Sequence, residues 1–207
     1  MSSTDWFPDW YNSLPTIEKA SDILTKDAQA KWLPEIAKVM VEDDFKSYAL
    51  TLVHHHVRLR DLERMIITGP ITRPENVGQT QNLNVIRSSW NAEGMEFEWQ
   101  RVVAPSDLVP PPSDDLFQKF RNIFKDDSSG VMKVLGLTLR PEVLESEEVW
   151  WESTDVKLRQ HMVERRKRSS IPEEGTFKTC WIPQRDPMTM EVVMLCCSLC
   201  RWHKRLN

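Results

Sequence analysis

Tyr48-Ala-Leu-Thr-Leu-Val-His-His-His-Val-Arg-Leu-Arg-Asp-Leu-Glu63 turns the chain from helical to alternating patterning and carries three of its five histidines. Side chains alternate across a strand. Tyr48, Leu50, Leu52, His54 and His56 therefore share one face, and Ala49, Thr51, Val53, His55 and Val57 the other. Residues 47–59 and 62–68 read as a hairpin ended by Gly69-Pro70. With Leu59-Arg60 as its turn, His56 lies opposite Glu63, their β-carbons within ~5.5 Å. Glu63 then accepts from an imidazole N–H and fixes its tautomer. A register slip of one residue would put Arg64 there instead.

Upstream, residues 1–15 hold Trp6, Phe7, Trp10 and Tyr11 among prolines and read as an arm that packs aromatics onto the body. Thr16 caps a short helix over 17–24. A second helix spans 28–42, with Trp32, Ile36, Val39 and Met40 on one face and Pro34 in the first turn. Downstream, 69–80 reads as a loop, and 81–90 with 95–103 as a second hairpin. Its turn at 91–94 places Gly94 where a positive φ is needed. A proline-rich connector (105–112) leads to a Ser113-capped amphipathic helix ending at Phe124. Five more strands follow at 131–139, 147–154, 157–167, 177–182 and 191–202, with a helix as the alternative for 159–168.

Strands in hairpin order with few helices give an α+β class, mainly antiparallel β. About nine strands form a curled or closed barrel-like sheet, with N-terminal helices and one mid-chain helix. A barrel of this size encloses a small ligand. The 207 residues fit a single domain, with residues 1–46 as arm and helices and 47–207 as a β-rich body.

Composition narrows the function classes. A net charge of −4 disfavours general nucleic-acid binding. No run reaches the ~18 apolar residues of a membrane span. The first residues lack the basic and apolar regions of a secretory signal, so the expected location is cytoplasmic, with the four cysteines reduced. Nine tryptophans against two tyrosines supply bulk for a core, the default role of large aromatics, or for an apolar pocket. Cys196-Cys197-x-x-Cys200-x-x-His203 lacks the two separated ligand pairs of a closed zinc site, and small buried thiols are the expected state. Phosphate-binding loops, dinucleotide fingerprints, the serine-hydrolase elbow and the zincin motif are all missing.

Three readings of the histidine stretch remain. His54, His56 and Glu63 supply three metal ligands, as in a cupin-like enzyme, although six residues separate the Glu from the second His. An imidazole paired with a carboxylate does acid–base or hydrogen-bond catalysis in an apolar pocket. Or the histidines are simply satisfied inside a β core. In the Glu96-Phe-Glu-Trp99 strand, the aromatic face is expected inward and the carboxylates outward, since charges are rarely buried unpaired.

Leu52-Val-His54-His-His56, Glu63, Ser89-Trp90, Gly94, Glu98-Trp99 and Cys200 with His203 together resemble a family of small fungal proteins of mostly unknown function associated with secondary metabolism. The resemblance implies a cofactor-independent cyclase of the norbornene-synthase, intramolecular Diels–Alderase type. A terpenoid or polyketide intermediate would fold in an apolar pocket and meet a hydrogen-bond donor. Under that reading His54, His56 and Glu63 are catalytic, and Tyr48, Leu52, Trp90, Phe97 and Trp99 bind a hydrophobic small-molecule substrate. No cofactor, nucleic acid or membrane span is expected. A non-catalytic binder of hydrophobic ligands is the third alternative.

Overall fold

The computed structural model describes residues 8–76, 78, 84–102, 104, 108–186 and 188–201. Trp6, Phe7, residues 105–107 of the proline-rich connector and His203 lie outside them. Ten strands close into a barrel: β1 (Tyr48–Leu52), β2 (Glu63–Thr68), β3 (Ile71–Asn76), β4 (Val85–Asn91), β5 (Glu96–Arg101), β6 (Leu135–Leu139), β7 (Glu148–Asp155), β8 (Gln160–Lys167), β9 (Thr176–Arg185) and β10 (Val192–Arg201). Around the wall they run β1-β6-β4-β5-β2-β3-β8-β7-β10-β9, and β9 pairs back onto β1. The sheet is antiparallel except where β2 meets β5 and β7 meets β10.

The alternating stretch from Tyr48 does form a strand, but the expected hairpin does not. β1 ends at Leu52 and pairs with β6 and β9. β2 instead turns at Gly69-Pro70 into β3, which the sequence presented as loop. Pro74 and the polar residues of Ile71–Asn76 hide that strand. β8 pairs with β3 only at Ile71 and Thr72, so Pro74 faces no ladder on that side and its missing N–H costs nothing there. The region with a helical alternative is strand β8.

Four helices lie among the described residues: α1 (Pro8–Ser13), α2 (Ile17–Ile23), α3 (Lys26–Met40) and α4 (Asp114–Ile123). Thr16, Thr25 and Ser113 cap the last three by accepting from backbone N–H groups. α3 starts earlier than its periodicity indicated, so Pro34 lies in the helix interior and not in the first turn.

One apolar core sits outside the barrel, between its wall and the helices. Tyr48, Leu50 and Leu52 of β1, Leu137 of β6, Trp90 of β4 and Trp181 of β9 face Trp32, Ile36 and Met40 of α3 and the Leu116/Phe117/Phe120 stripe of α4. Burying these side chains contributes roughly 1.5–3 kcal/mol each. Helices cover this wall on the outside, so its other face is left to line the barrel. A second cluster joins Tyr11 of α1 to Val53, Val57, Leu59, Met65 and Phe97.

Candidate functional site

The site grows from the ten residues that join β1 to β2. Beyond Leu52 the backbone leaves the ladder, so the expected alternation stops there: Tyr48 and Leu50 pack under the helices, while His54 and His56 border a cavity. His54 Nδ1 donates back to the Leu52 carbonyl (2.8 Å). His55 turns the other way and donates to the Leu14 carbonyl (2.7 Å). Burial, more than any neighbour, holds its pKa below the usual imidazole range.

α1 fastens this segment. Asn12 donates to the Leu59 carbonyl (2.9 Å) and accepts from the Leu59 N–H (2.7 Å). The Tyr11 hydroxyl accepts from the His56 N–H (3.1 Å). Burial, and secondarily the charge of Glu98, raise the Tyr11 pKa, so the phenol stays protonated.

His56 lies at the centre. Its Nε2 is 3.3 Å from Glu98 Oε1. Its ring stacks on His161 at 3.7 Å between centroids and 23° between planes, and meets His54 edge-on at 4.6 Å. Glu98 Oε2 accepts from Ser89 (3.0 Å), whose hydroxyl also meets Thr138 (3.0 Å). On the far side of the stack, His161 Nδ1 shares a hydrogen bond with Thr154 (3.0 Å), and its Nε2 lies 3.9 Å from Glu152 Oε2. Glu152 Oε1 accepts from Thr179 (2.9 Å) and from Ser198. Burial raises the Glu152 pKa, and the two hydroxyls only partly offset it. A stacked imidazole pair is thus flanked by two carboxylates, one of them biased toward its protonated form.

The tautomer of His56 follows from its partners. Nε2 faces a carboxylate, which only accepts, so Nε2 carries the proton. Nδ1 is then a lone-pair acceptor, and it is buried without a hydrogen-bond partner. The His56 side chain keeps 7 % of its surface exposed. Ser88 Oγ, on a residue 1 % exposed, also lacks a partner. Buried polar groups are ordinarily satisfied, and both residues border the same cavity of about 510 Å³. That volume falls in the range of small-molecule sites.

Glu98 reaches the cavity because β4 and β5 are irregular. The register slips between Arg87 and Ser89 and again between Ser89 and Trp90, leaving Ser88 and Phe97 as extra residues. A bulge resets alternation. Phe97 and Glu98 both border the cavity, while Glu96 pairs with Arg87 (2.6 Å). The expected separation of an inward aromatic face from an outward carboxylate face is therefore corrected for Glu98.

The other expected site residues divide. Leu52 borders the cavity. Tyr48 and Trp90 belong to the outer core beneath the helices, and the Tyr48 hydroxyl donates to the Pro110 carbonyl (2.6 Å). Trp99 is buried under the Arg64 guanidinium. Glu63 is not the carboxylate that meets His56. Arg159 grips it with contacts of 2.9 and 2.5 Å, and it accepts from the Arg60 N–H (2.7 Å). The Arg159 hydrogen bonds hold the Glu63 pKa below the usual carboxyl range.

His161 and Glu152 escaped the sequence reading. Glu152 alternates with buried Val149 and Trp151, a pattern that does signal a carboxylate on the opposite face. His161 carried no such signal, because β3 beside it was taken for loop.

Among the described residues, no group of three or more His, Cys, Asp or Glu side chains is arranged to hold a metal ion. The cysteines are free. Hydrogen bonding to Cys197 and burial raise the Cys180 pKa, burial raises that of Cys200, and burial pushes Cys196 up to about 12. These thiols are held protonated, Cys180 and Cys200 buried and Cys196 half-buried, which suits packing residues. No helix of the described residues is long and apolar enough to cross a membrane. No protein-family model, curated protein or solved structure matches the chain.

Proposed function

We propose that the protein is a cofactor-independent enzyme that cyclises or isomerises a small carbonyl-bearing organic molecule by proton transfer. The observation that carries this reading is the stacked His56/His161 pair flanked by Glu98 and Glu152 at a cavity. His56 Nδ1 takes a proton from the carbon next to the substrate carbonyl. Glu98, at Nε2, stabilises the imidazolium that forms. The released electron pair moves onto the carbonyl oxygen, which receives a hydrogen bond from protonated Glu152. The resulting enolate carbon then adds to a second carbonyl carbon of the same molecule, whose π bond breaks and whose oxygen takes the proton from His56, closing a ring, or it takes the proton back from His56 at a new position.

An intramolecular Diels–Alder closure of the norbornene-forming type, on a terpenoid or polyketide intermediate, uses the same parts. The cavity folds the chain, and Glu152 donates to the dienophile carbonyl. A cytoplasmic setting accords with four reduced thiols.

The test is deuterium uptake from heavy water by a panel of ketones and 1,3-diketones, read by mass spectrometry. Wild-type protein should label at least one member above buffer, on the order of 10²-fold or more. His56→Ala should return uptake to the buffer rate. Equal labelling by His56→Ala, or no labelling of any member by wild type, would overturn the reading.

A further inference from the structure

The cavity has a charged side chain that the acid–base group does not use. Arg140 lines it, half-buried, directly after β6. Its backbone N–H donates to the Ser47 carbonyl (2.9 Å), continuing the β1–β6 ladder, so the chain is still extended there. Arg140 therefore lies on the same face as Thr138, roughly 7 Å further along the strand. Thr138 is the residue that connects through Ser89 to Glu98. The Arg140 guanidinium makes no hydrogen bond or ion pair among the described residues. The nearby acid, Glu142, also borders the cavity but is taken by Arg165 (2.5 Å). The lining also carries the apolar side chains of Leu52, Ile67, Phe97, Trp150 and Val163.

The cavity thus presents three kinds of surface. An arginine without a side-chain partner, apolar side chains and the buried partnerless atom His56 Nδ1 all border it, and Ser88, whose Oγ also lacks a partner, sits near Arg140 beside the end of β6. We infer that the substrate is an organic carboxylic acid, with its carboxylate on Arg140, an apolar body and an oxygen-bearing reacting end at His56. One guanidinium matches one carboxylate in a forked pair. With no second lysine or arginine among the described residues that line the cavity, a doubly charged phosphate is less well matched. Arg140 is then the specificity-determining residue. This inference rests on the cavity being the substrate site, but it is tested by binding and not by turnover.

The probes are decanoate, decanol and decyl phosphate, titrated calorimetrically into wild type and Arg140→Gln. Wild type should bind decanoate at least tenfold more tightly than decanol. Arg140→Gln should abolish that preference while leaving decanol affinity within about twofold, which also shows that the variant is folded. Equal affinity of wild type for acid and alcohol, binding of neither, tighter binding of decyl phosphate, or a preference that survives Arg140→Gln would each overturn it. Failure here with deuterium uptake intact would leave the acid–base reading standing. Carboxylate selectivity without uptake would instead separate the binding site from the chemistry.

Discussion

At the scale of single residues, the site depends on where protons rest. Glu152 is buried beside His161, His56, Glu98 and the Cys180 thiol, and burial favours its neutral form. In the unfolded chain it titrates as an ordinary carboxyl, near ~4.3. The folded protein therefore holds more protons once the pH passes that value. The Glu152 contribution to stability is full below the unfolded pKa and is lost as pH rises through the raised folded pKa. Urea denaturation over a pH series should show wild type losing ground to Glu152→Gln as pH increases. A constant difference would contradict a raised Glu152 pKa. Residue scale is also where the sequence was most informative. That the His54–His56 stretch marks a site was legible from its concentration of imidazoles, but strand alternation stops at Leu52 and does not account for the side they take. The partner of His56 was not legible, because the next strand in sequence is not the next strand in space.

Among the elements, strand pairing decides which side chains meet. β4 and β6 approach closely because Gly136 sits opposite Asn91. A β-carbon there would overlap the Trp90 carbonyl oxygen and lie 2.8 Å from Val53 Cγ2. The obstacle is mainly neighbouring backbone, which cannot swing aside. Gly136→Ala should therefore cost about 1–3 kcal/mol or more, as overpacking does, read as a lower urea midpoint. An unchanged midpoint would contradict the close β4–β6 contact. The Ser113-capped helix, its Phe stripe and the positive φ of Gly94 (87°) were legible, because each is a local signal. The slips in β4 and β5 were not. A bulge is a relation between two strands and leaves no mark on either one alone, and Glu98 turns inward because of it.

For the molecule as a whole, the division of roles runs across the barrel wall. The outer face supplies apolar surface for the helices, while hydroxyls, three carboxylates and three imidazoles surround a cavity on the other side. Period-two patterning and turn residues made a barrel-like sheet legible. The circular strand order and the parallel β2–β5 and β7–β10 contacts are non-local and were not. β3 was missed for its proline, and with it the position of His161.

The central claim is that the carboxylate of Glu98, delivered by the β5 bulge, serves the His56 base. The most direct measurement compares deuterium uptake by a labelled ketone substrate in wild type, Glu98→Gln and Glu96→Gln. Glu96 is two residues away and paired with Arg87 outside the site. The expected result is a loss on the order of 10²-fold in Glu98→Gln and a rate within about twofold of wild type in Glu96→Gln. A Glu98→Gln variant that exchanges as fast as wild type would contradict the claim.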